Sequence, residues 1–387
     1  MFILGIVGIF QVLLFPGLIF RKFFNLPKGF WIRFSTIVGI SLIANYLFVF
    51  ITTILGIFTQ ITALVAVGLE IIALIYLYRK EILSFNIGDF LASVWDGLIS
   101  PIHKIFPKIN TEDEEEKSKA ILNIFAILLF VAALVAIELT FRVFRYNIGQ
   151  IFTKWDAVLS WNKWAAVWAS NIFPLNTEDY PQLIPTNWAM IYALIGNNGI
   201  QFFAKAIMPL FPLLIMFVLL SLGIQTNNPG FFISIITLRL VFKKFLNEYL
   251  ASGYMDIPLT FFGFMAIIFL WVVYKETDED KKFRWWILST LFSSGAAITK
   301  QAGIYILGLD FLLGFYFVFG LKIKQAFVTH WKKISIIIAI ILVIAVPWYG
   351  IKAVQFALGE SHSHIAIPIQ STSRVHQENT LDRKSVV

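Results

Sequence analysis

The amino-acid sequence predicts an all-α fold: a polytopic transmembrane bundle of about 10–11 helices with an outer amphipathic juxtamembrane loop. The 387 residues are 58% hydrophobic and only 14% charged, whereas soluble domains carry about a quarter charged residues. Long apolar runs recur, for example at 121–141 and 334–351. Helices of that length cross the roughly 30 Å hydrocarbon core. The runs do not alternate in polarity, which argues against a transmembrane β-barrel.

The membrane spans follow from these apolar runs. We expect spans near residues 2–20, 31–53, 56–78, 121–141, 201–222, 230–247, 257–274, 285–299, 303–321 and 334–351. The first is expected to be retained, because it has no basic flank or small-residue cleavage site of a signal peptide. A further apolar stretch, 186–196, is too short to cross and is predicted to be interfacial or re-entrant.

Positive charge is concentrated at the ends of the apolar runs, where the positive-inside rule places it. The net charge of +8 therefore reflects membrane orientation and is no sign of nucleic-acid binding. Cytoplasmic loops are predicted at 79–119, 275–284 and 322–333. The stretch 142–185 then lies outside, although Lys243 and Lys244 oppose this assignment. The absence of cysteine excludes thiolate metal sites, disulfides and cysteine nucleophiles.

Four regions are predicted along the chain. They are an N-terminal three-helix unit (1–78), a charged cytoplasmic linker (79–120), a transmembrane core with outer loop 142–200 (121–351) and a tail (352–387). The acidic run 112–116 in the linker is predicted to be a solvated loop. The last six residues, 382–387, resemble a translated sequencing adapter, so we expect the tail to be truncated with an artefactual end.

The outer loop carries the first candidate for chemistry. Read as a helix from 155 to 170, it places Trp161, Trp164 and Trp168 on one face. Asp156, Ser160 and Lys163 fall on a face roughly 100° away. Because tryptophan favours the membrane interface, the helix is expected to lie flat on the outer leaflet with Asp156 away from lipid. Asp156 suits a general base; the alternative is a solvated loop acid.

The end of the same loop is a candidate lip over a substrate site. Glu178, Asp179 and Tyr180 precede Pro181 and Pro185, and the two prolines impose an extended turn. The alternative interpretation is a rigid connector.

Asp256 and Lys300 are the next candidates. Asp256 precedes an apolar span on the same predicted side as Asp156; the alternative role is favourable charge at a helix N-terminus. Lys300 follows another span, where a cation is either functional or snorkels to the interface. Arg239 and Lys243 share a helix face, which suits either a lipid phosphate or, as we favour, ordinary interfacial cations.

Four motifs in this order resemble the GT-C superfamily of membrane glycosyltransferases, particularly bacterial protein O-mannosyltransferases and lipid A aminoarabinose transferases. The motifs are Trp155-Asp156-Ala157, Tyr180-Pro181-Gln182-Leu183-Ile184-Pro185, Gly253-Tyr254-Met255-Asp256-Ile257-Pro258-Leu259 and Thr299-Lys300-Gln301-Ala302-Gly303. The resemblance covers residues 121 to 350 or so.

The resemblance implies a hexosyl or pentosyl transferase in the cell (inner) membrane with an outward-facing active site. Its partners would be the bilayer, a polyprenyl-phosphate sugar donor and an acceptor that is a glycan, lipid or protein. Asp156 would be the general base or acceptor-orienting acid. Asp256 would match the acid before the later span, and Lys300 the cation of a Lys-x-x-Gly motif. Gln301 and Ala302 stand where many members have Asn-Glu.

The chemistry of such a transfer needs a base at the acceptor hydroxyl and positive charge at the departing phosphate. Asp156 would supply the base, and Lys154, Lys163 or Lys300 the positive charge, with inversion at the anomeric carbon. Some branches of the superfamily hold a divalent metal with acids and others hold none, so no cofactor is assigned. The main alternative is a transporter or flippase for an envelope precursor, which predicts ionisable groups in mid-span and broken helix pairs. Glu138 and Arg239 come nearest to such groups. A non-enzymatic scaffold is a third possibility.

Overall fold

The computed structural model describes residues 1–24, 26–27, 29–83, 114–175, 177, 180–246, 249–321 and 323–357. Regular structure in these residues is helical throughout. Among them, six helices are long and apolar enough to cross a membrane, or seven if one bent pair forms a single span. The predicted all-α polytopic bundle is therefore confirmed.

The helices are numbered in chain order. They are α1 (Phe2–Arg21), α2 (Phe30–Ile54), α3 (Gln60–Leu83), α4 (Glu114–Asn147), α5 (Lys163–Ala169), α6 (Leu183–Ile195), α7 (Phe202–Lys205), α8 (Leu210–Thr226), α9 (Gly230–Phe245), α10 (Asp256–Lys275), α11 (Glu279–Ala297), α12 (Gly303–Phe319), α13 (Ile323–Ile344) and α14 (Val346–Ala357). A π-helical stretch, Ala157–Asn162, leads directly into α5.

Three details differ from the sequence-based expectations. The predicted spans 230–247, 285–299 and 303–321 are not among the six long apolar helices of the described residues. Helix α4 begins at Glu114, so the described part of the acidic run is helical where a loop was predicted. The predicted span 334–351 is broken: α13 and α14 are bent by 58° relative to each other. Pro347 lies in the first turn of α14. Proline has no N–H for a helical hydrogen bond but is tolerated in a first turn, so the chain restarts as a new helix there.

Helix α6 lies inside the bundle. All thirteen of its residues are buried, and it packs against α1, α2, α3 and α5. Pro185 occupies its first turn, and Gly196 ends it with a φ of 75°, a conformation that glycine adopts without strain. This burial places residues 186–195 inside the bundle, and both the interfacial and the re-entrant interpretations stay predictions.

Helices α10, α11 and α12 form two consecutive antiparallel pairs, with α11 packed on both neighbours. Helix α11 begins at a cap, where the Asp278 carboxylate accepts from the backbone N–H groups of Asp280 and Lys281, both at 3.0 Å. These bonds lower the pKa of Asp278. The far end of α11 and the start of α10 meet at one end of the bundle, which holds the candidate site.

Candidate functional site

Asp256 and Lys300 form an ion pair at that end of the bundle. The Lys300 Nζ donates to Asp256 Oδ1 at 2.7 Å, although 44 residues separate them in sequence. Asp256 belongs to the first turn of α10, and Lys300 follows the C-terminus of α11, so the antiparallel pairing brings them together. The two side chains are 51% and 29% exposed. Two predicted site residues therefore share one accessible surface.

The turn that carries Lys300 depends on Gly303. The backbone N–H of Gly303 donates to the Lys300 carbonyl at 2.8 Å, which closes the turn. A Cβ on Gly303 would lie 2.0 Å from the Ala296 carbonyl oxygen, far inside van der Waals contact. Only glycine permits this approach of α12 to α11. The Lys-x-x-Gly spacing thus has a structural cause, whatever occupies positions 301 and 302.

A buried acid ties the two helices on either side of this turn. Asp310, in α12, is 3% exposed and contacts hydroxyls of α11: Ser289, and also Thr290 at 3.2 Å and Ser293 at 3.1 Å. Ser289 also lies 2.8 Å from the Ala266 carbonyl of α10. The cluster therefore joins α10, α11 and α12 below the Asp256–Lys300 pair. The sequence analysis did not single out Asp310, whose signal was an acid within an apolar run.

Asp156 lies on a segment that rests on the loop before α10. A Cβ on Gly253 would lie 2.8 Å from the Phe152 ring and 2.9 Å from the Ala157 Cβ. Since Gly253 precedes Asp256 by three residues and Ala157 follows Asp156, the loops of both acids are in contact. Asp156 itself is exposed and stands directly before the π-helical stretch. Helix widening of this kind is frequent at functional sites.

The segment leading to Asp156 is anchored from α7. Lys205 is buried and donates to the Ile151 carbonyl at 2.8 Å. The Gln201 side chain accepts from the backbone N–H of Phe152 at 3.2 Å. These contacts hold the approach to Asp156 against the bundle. Sequence reasoning missed Lys205. A lysine inside the predicted apolar span 201–222 was the signal that could have found it.

The two faces predicted for residues 155–170 exist, but their surroundings differ from the expectation. Trp161, Trp164 and Trp168 are buried at 5%, 8% and 0% within the protein, so the prediction that they lie on the outer leaflet is wrong. Asp156 and Lys163 are exposed. The amphipathic period shows which side is apolar, and here that side packs on protein instead of lipid.

Tyr180 joins this aromatic cluster. Its ring makes an edge contact with Trp161 at 5.3 Å and stacks near Trp164 at 6.2 Å. The backbone N–H of Leu183 then donates to the Ile298 carbonyl at 2.9 Å, two residues before Lys300. The segment thus connects the Asp156 region to the Lys300 turn, which fits both the lip and the rigid-connector interpretations. Glu178 and Asp179 lie outside the described residues.

The remaining predicted groups are Lys154, which is half-buried, and Lys163. In the described part of the chain, no three Asp, Glu or His side chains lie together in a way that could hold a metal ion. The site therefore offers one carboxylate at its edge, one carboxylate paired with an ammonium group, and further cations on the Asp156 segment.

Comparison with known proteins adds a family to this geometry. The sequence profile of the family described as dolichyl-phosphate-mannose-protein mannosyltransferase matches residues 245–362, less than a third of the chain. No curated protein and no solved structure matches significantly. The matched segment contains Asp256, Lys300, Gly303 and Asp310. The match confirms the predicted resemblance to membrane glycosyltransferases and supports a membrane glycosyltransferase that takes its sugar from a polyprenyl-phosphate donor.

Proposed function

We propose that this protein moves a hexosyl or pentosyl group from a polyprenyl-phosphate-linked donor to an acceptor hydroxyl at the outer face of the cell membrane, with inversion. The observation that carries the proposal is the contact between the Asp156 segment and the Gly253 loop, beside the 2.7 Å Asp256–Lys300 pair. This arrangement presents a candidate base and a candidate phosphate-binding cation on one surface.

The proposed reaction is a single displacement. The acceptor oxygen forms a bond to the anomeric carbon while the bond from that carbon to the donor phosphate oxygen breaks. The hydroxyl proton passes to the Asp156 carboxylate, and the bonding electron pair leaves with the phosphate. Attack opposite the leaving group inverts the anomeric centre. Asp156 suits the base because it is exposed to an arriving acceptor and makes no ion pair with another described residue, which leaves its carboxylate available for a proton.

Negative charge that develops on the departing phosphate needs fixed positive charge nearby. Lys300 meets this need best, because Asp256 holds its ammonium group in place and the pair stays accessible. Lys154 and Lys163 flank Asp156 and would bind the donor phosphate or the acceptor. Asp256 is then a positioning residue for Lys300.

The outer location rests on the charge at the opposite end of the α10–α11 pair. Lys275 ends α10, and Lys281, Lys282 and Arg284 lie in the first two turns of α11, as expected for the cytoplasmic side. Asp256 and Lys300 lie at the other ends of these helices. The buried tryptophans do not weaken this placement, since it depends only on the cations.

Transfer of labelled sugar tests the proposal. Membranes containing the protein are supplied with polyprenyl-phosphate sugars, and Asp156→Asn is compared with Asp280→Asn. Asp280 is a suitable control because it is an exposed aspartate, paired with Lys333 at 2.9 Å, at the opposite end of α11. Asp156→Asn should lower transfer by about 100-fold to 10,000-fold, the usual contribution of a general base. Full transfer by Asp156→Asn would contradict the assigned role.

Ionisable groups within the helices of the bundle bear on the transporter alternative. The sequence analysis named Glu138 and Arg239 as the nearest approach to ionisable groups in mid-span, but Glu70 and Asp310 lie within helices of the bundle too. Glu138 pairs instead with Arg142 and Arg145 at the surface. The family match favours the transferase. Movement of a labelled envelope precursor across vesicles, without sugar transfer from any donor, would favour the transporter.

A further inference from the structure

Helix α9 carries an arginine on the face that it turns toward the bundle. Phe232, Ile235 and Phe242 are its buried residues. They lie three and seven residues apart, and Arg239 falls on the same stripe, four residues after Ile235 and three before Phe242. The guanidinium group therefore lies on the inner side of a helix whose outer side exposes Ile233, Leu240 and Val241.

The inner face of α9 meets α4 and α8. The centroids of the Phe232 ring and the Phe130 ring of α4 lie 5.5 Å apart. The Phe232 ring also packs against Gly223 of α8. Arg239 lies seven residues further along α9, about 10 Å at the helical rise per residue. We call the space between these three helices, at the level of Arg239, the α4/α8/α9 cleft.

The guanidinium group has unmet hydrogen-bonding capacity in this cleft. Its Nε and Nη1 atoms are buried and have no hydrogen-bond partner within the described part of the chain. Arginine cannot lose its charge to relieve this burial, and a buried donor without an acceptor is costly. Glu138 of α4 does not serve as that acceptor, because its carboxylate contacts Arg145 at 2.7 Å and Arg142 at 3.3 Å.

An oxygen acceptor that enters the cleft from the side of the lipid would relieve this burial, and an anionic one would also balance the guanidinium charge. Lipid phosphate has both properties, and the fork of guanidinium donors fits it well. Arg239 lies six residues before the end of α9, about 9 Å from that end, which is within reach of the head-group layer. Lys243, one turn further on, is exposed and adds positive charge at the entrance.

We propose that the α4/α8/α9 cleft binds the phosphate of a membrane lipid through Arg239. Two lipids carry this chemistry: an ordinary anionic phospholipid and a polyprenyl phosphate. The site lies on helices other than those of Asp156, Asp256 and Lys300, so the proposal does not depend on the proposed transferase activity.

Lipid binding by the purified full-length chain tests the proposal. Native mass spectrometry would follow titration with phosphatidylglycerol, with polyprenyl phosphate and with diacylglycerol, which lacks phosphate. Arg239→Gln and Arg239→Lys are compared with wild type. Lys244→Gln is the matched control, because it removes an exposed cation of the same helix on a different face from Arg239.

Wild type should bind the phosphate-bearing lipids in preference to diacylglycerol. Arg239→Gln should weaken that binding by roughly 10-fold to 100-fold, the equivalent of one or two hydrogen bonds to a charged group. Arg239→Lys should retain part of the affinity, and Lys244→Gln nearly all of it. Stronger binding of polyprenyl phosphate would assign the cleft to the isoprenoid, and equal binding to membrane phospholipid.

Equal affinity of wild type and Arg239→Gln for both phosphate-bearing lipids would overturn the proposal, as would equal binding of diacylglycerol. If Arg239→Gln does not fold, Arg239→Lys carries the test: it keeps the charge but loses the planar fork, so its affinity should still fall measurably. None of these measurements uses sugar transfer, so failure here is distinct from failure of the proposed enzyme function.

Discussion

The α11–α12 pair and the α4/α8/α9 cleft each place one ionisable side chain among membrane helices, but they treat it differently. Asp310 contacts three hydroxyls of the neighbouring helix. Two buried nitrogens of Arg239 contact no acceptor in the described chain. Both residues would be expensive to leave unpaired in an apolar environment. The first is satisfied from within and thus serves the fold, whereas the second finds no acceptor for two of its nitrogens in the described chain, which is the basis of the proposed lipid site.

The difference follows from the side chains that surround each of the two ionisable residues. Helix α11 contributes Ser289, Thr290 and Ser293 within two turns, all of them buried. Asp310 of α12 therefore has three hydroxyl groups beside its carboxylate. Helix α9 places Arg239 among Phe232, Ile235 and Phe242, which offer no side-chain acceptor.

Substitution of Gly303 should disturb the α11–α12 pair most. Gly303→Ala brings a methyl group to 2.0 Å from the Ala296 carbonyl, and because that atom belongs to the backbone, the helices must separate. We expect a loss of about 1–3 kcal/mol in stability, with lower sugar transfer because Lys300 moves. Gly308→Ala is the control, since nothing lies within 4 Å of its Cβ position. Equal melting temperatures of the two variants would contradict the tight turn.

Removal of the Asp310 carboxyl should destabilise the same pair. Asp310→Leu removes three contacts with hydroxyls, at a cost of up to about 2 kcal/mol if each contributes about 0.6 kcal/mol, as in other membrane helices. Ser289 and Ser293 keep backbone carbonyl acceptors. Asp310→Asn keeps a polar group in place and should lose less. Thermal unfolding in detergent measures both. If Asp310→Leu were as stable as wild type, the cluster would not hold α11 against α12.

Removal of the Arg239 charge should raise stability, whereas removal of the Asp310 carboxyl should lower it. In detergent free of lipid phosphate, Arg239→Met should raise the melting temperature, because it replaces unpaired buried donors with an apolar side chain of similar length. Addition of phosphatidylglycerol should stabilise wild type and leave the variant unchanged. A lower melting temperature for Arg239→Met without lipid would show that the cleft is satisfied internally, like the Asp310 cluster.

Removal of the Lys300 charge should have the smallest effect on stability. Because the Asp256–Lys300 pair is partly exposed, Lys300→Gln should cost less than about 1 kcal/mol. Sugar transfer should nevertheless fall strongly, since the phosphate would lose its fixed cation. Lys333→Gln, in the Asp280–Lys333 pair at the other end of α11, controls for loss of an exposed ion pair. Equal transfer by the two variants would remove Lys300 from the mechanism.

Much of the helical architecture is predictable from hydropathy. The limits of α1, α2, α10 and α12 lie within about 2 residues of the predicted spans. The errors have specific causes. The bend before Pro347 interrupts a run that is uniformly apolar, so hydropathy cannot locate it. Asp310 and Lys205 were overlooked because each is a single ionisable residue within a longer apolar segment.

The candidate site was predictable only in part. Asp156, Asp256 and Lys300 were identified from their positions at helix ends and from motif order, and the structure places them at one end of the bundle. That Lys300 pairs with Asp256 was not predictable, because the contact spans 44 residues. Glu178 and Asp179 remain predictions.

Sequence by itself determined that this chain is a helical membrane protein, since apolar runs of sufficient length have few stable alternatives in lipid. It also determined which residues could carry charge chemistry at helix ends. Tertiary structure alone decided what each face meets: protein for the three tryptophans, a carboxylate for Lys300 and hydroxyls for Asp310. Two nitrogens of Arg239 meet no acceptor among the residues that the structure describes. The physical reason is that periodicity reports the direction of a side chain from its helix, whereas its partner depends on which distant helix packs there.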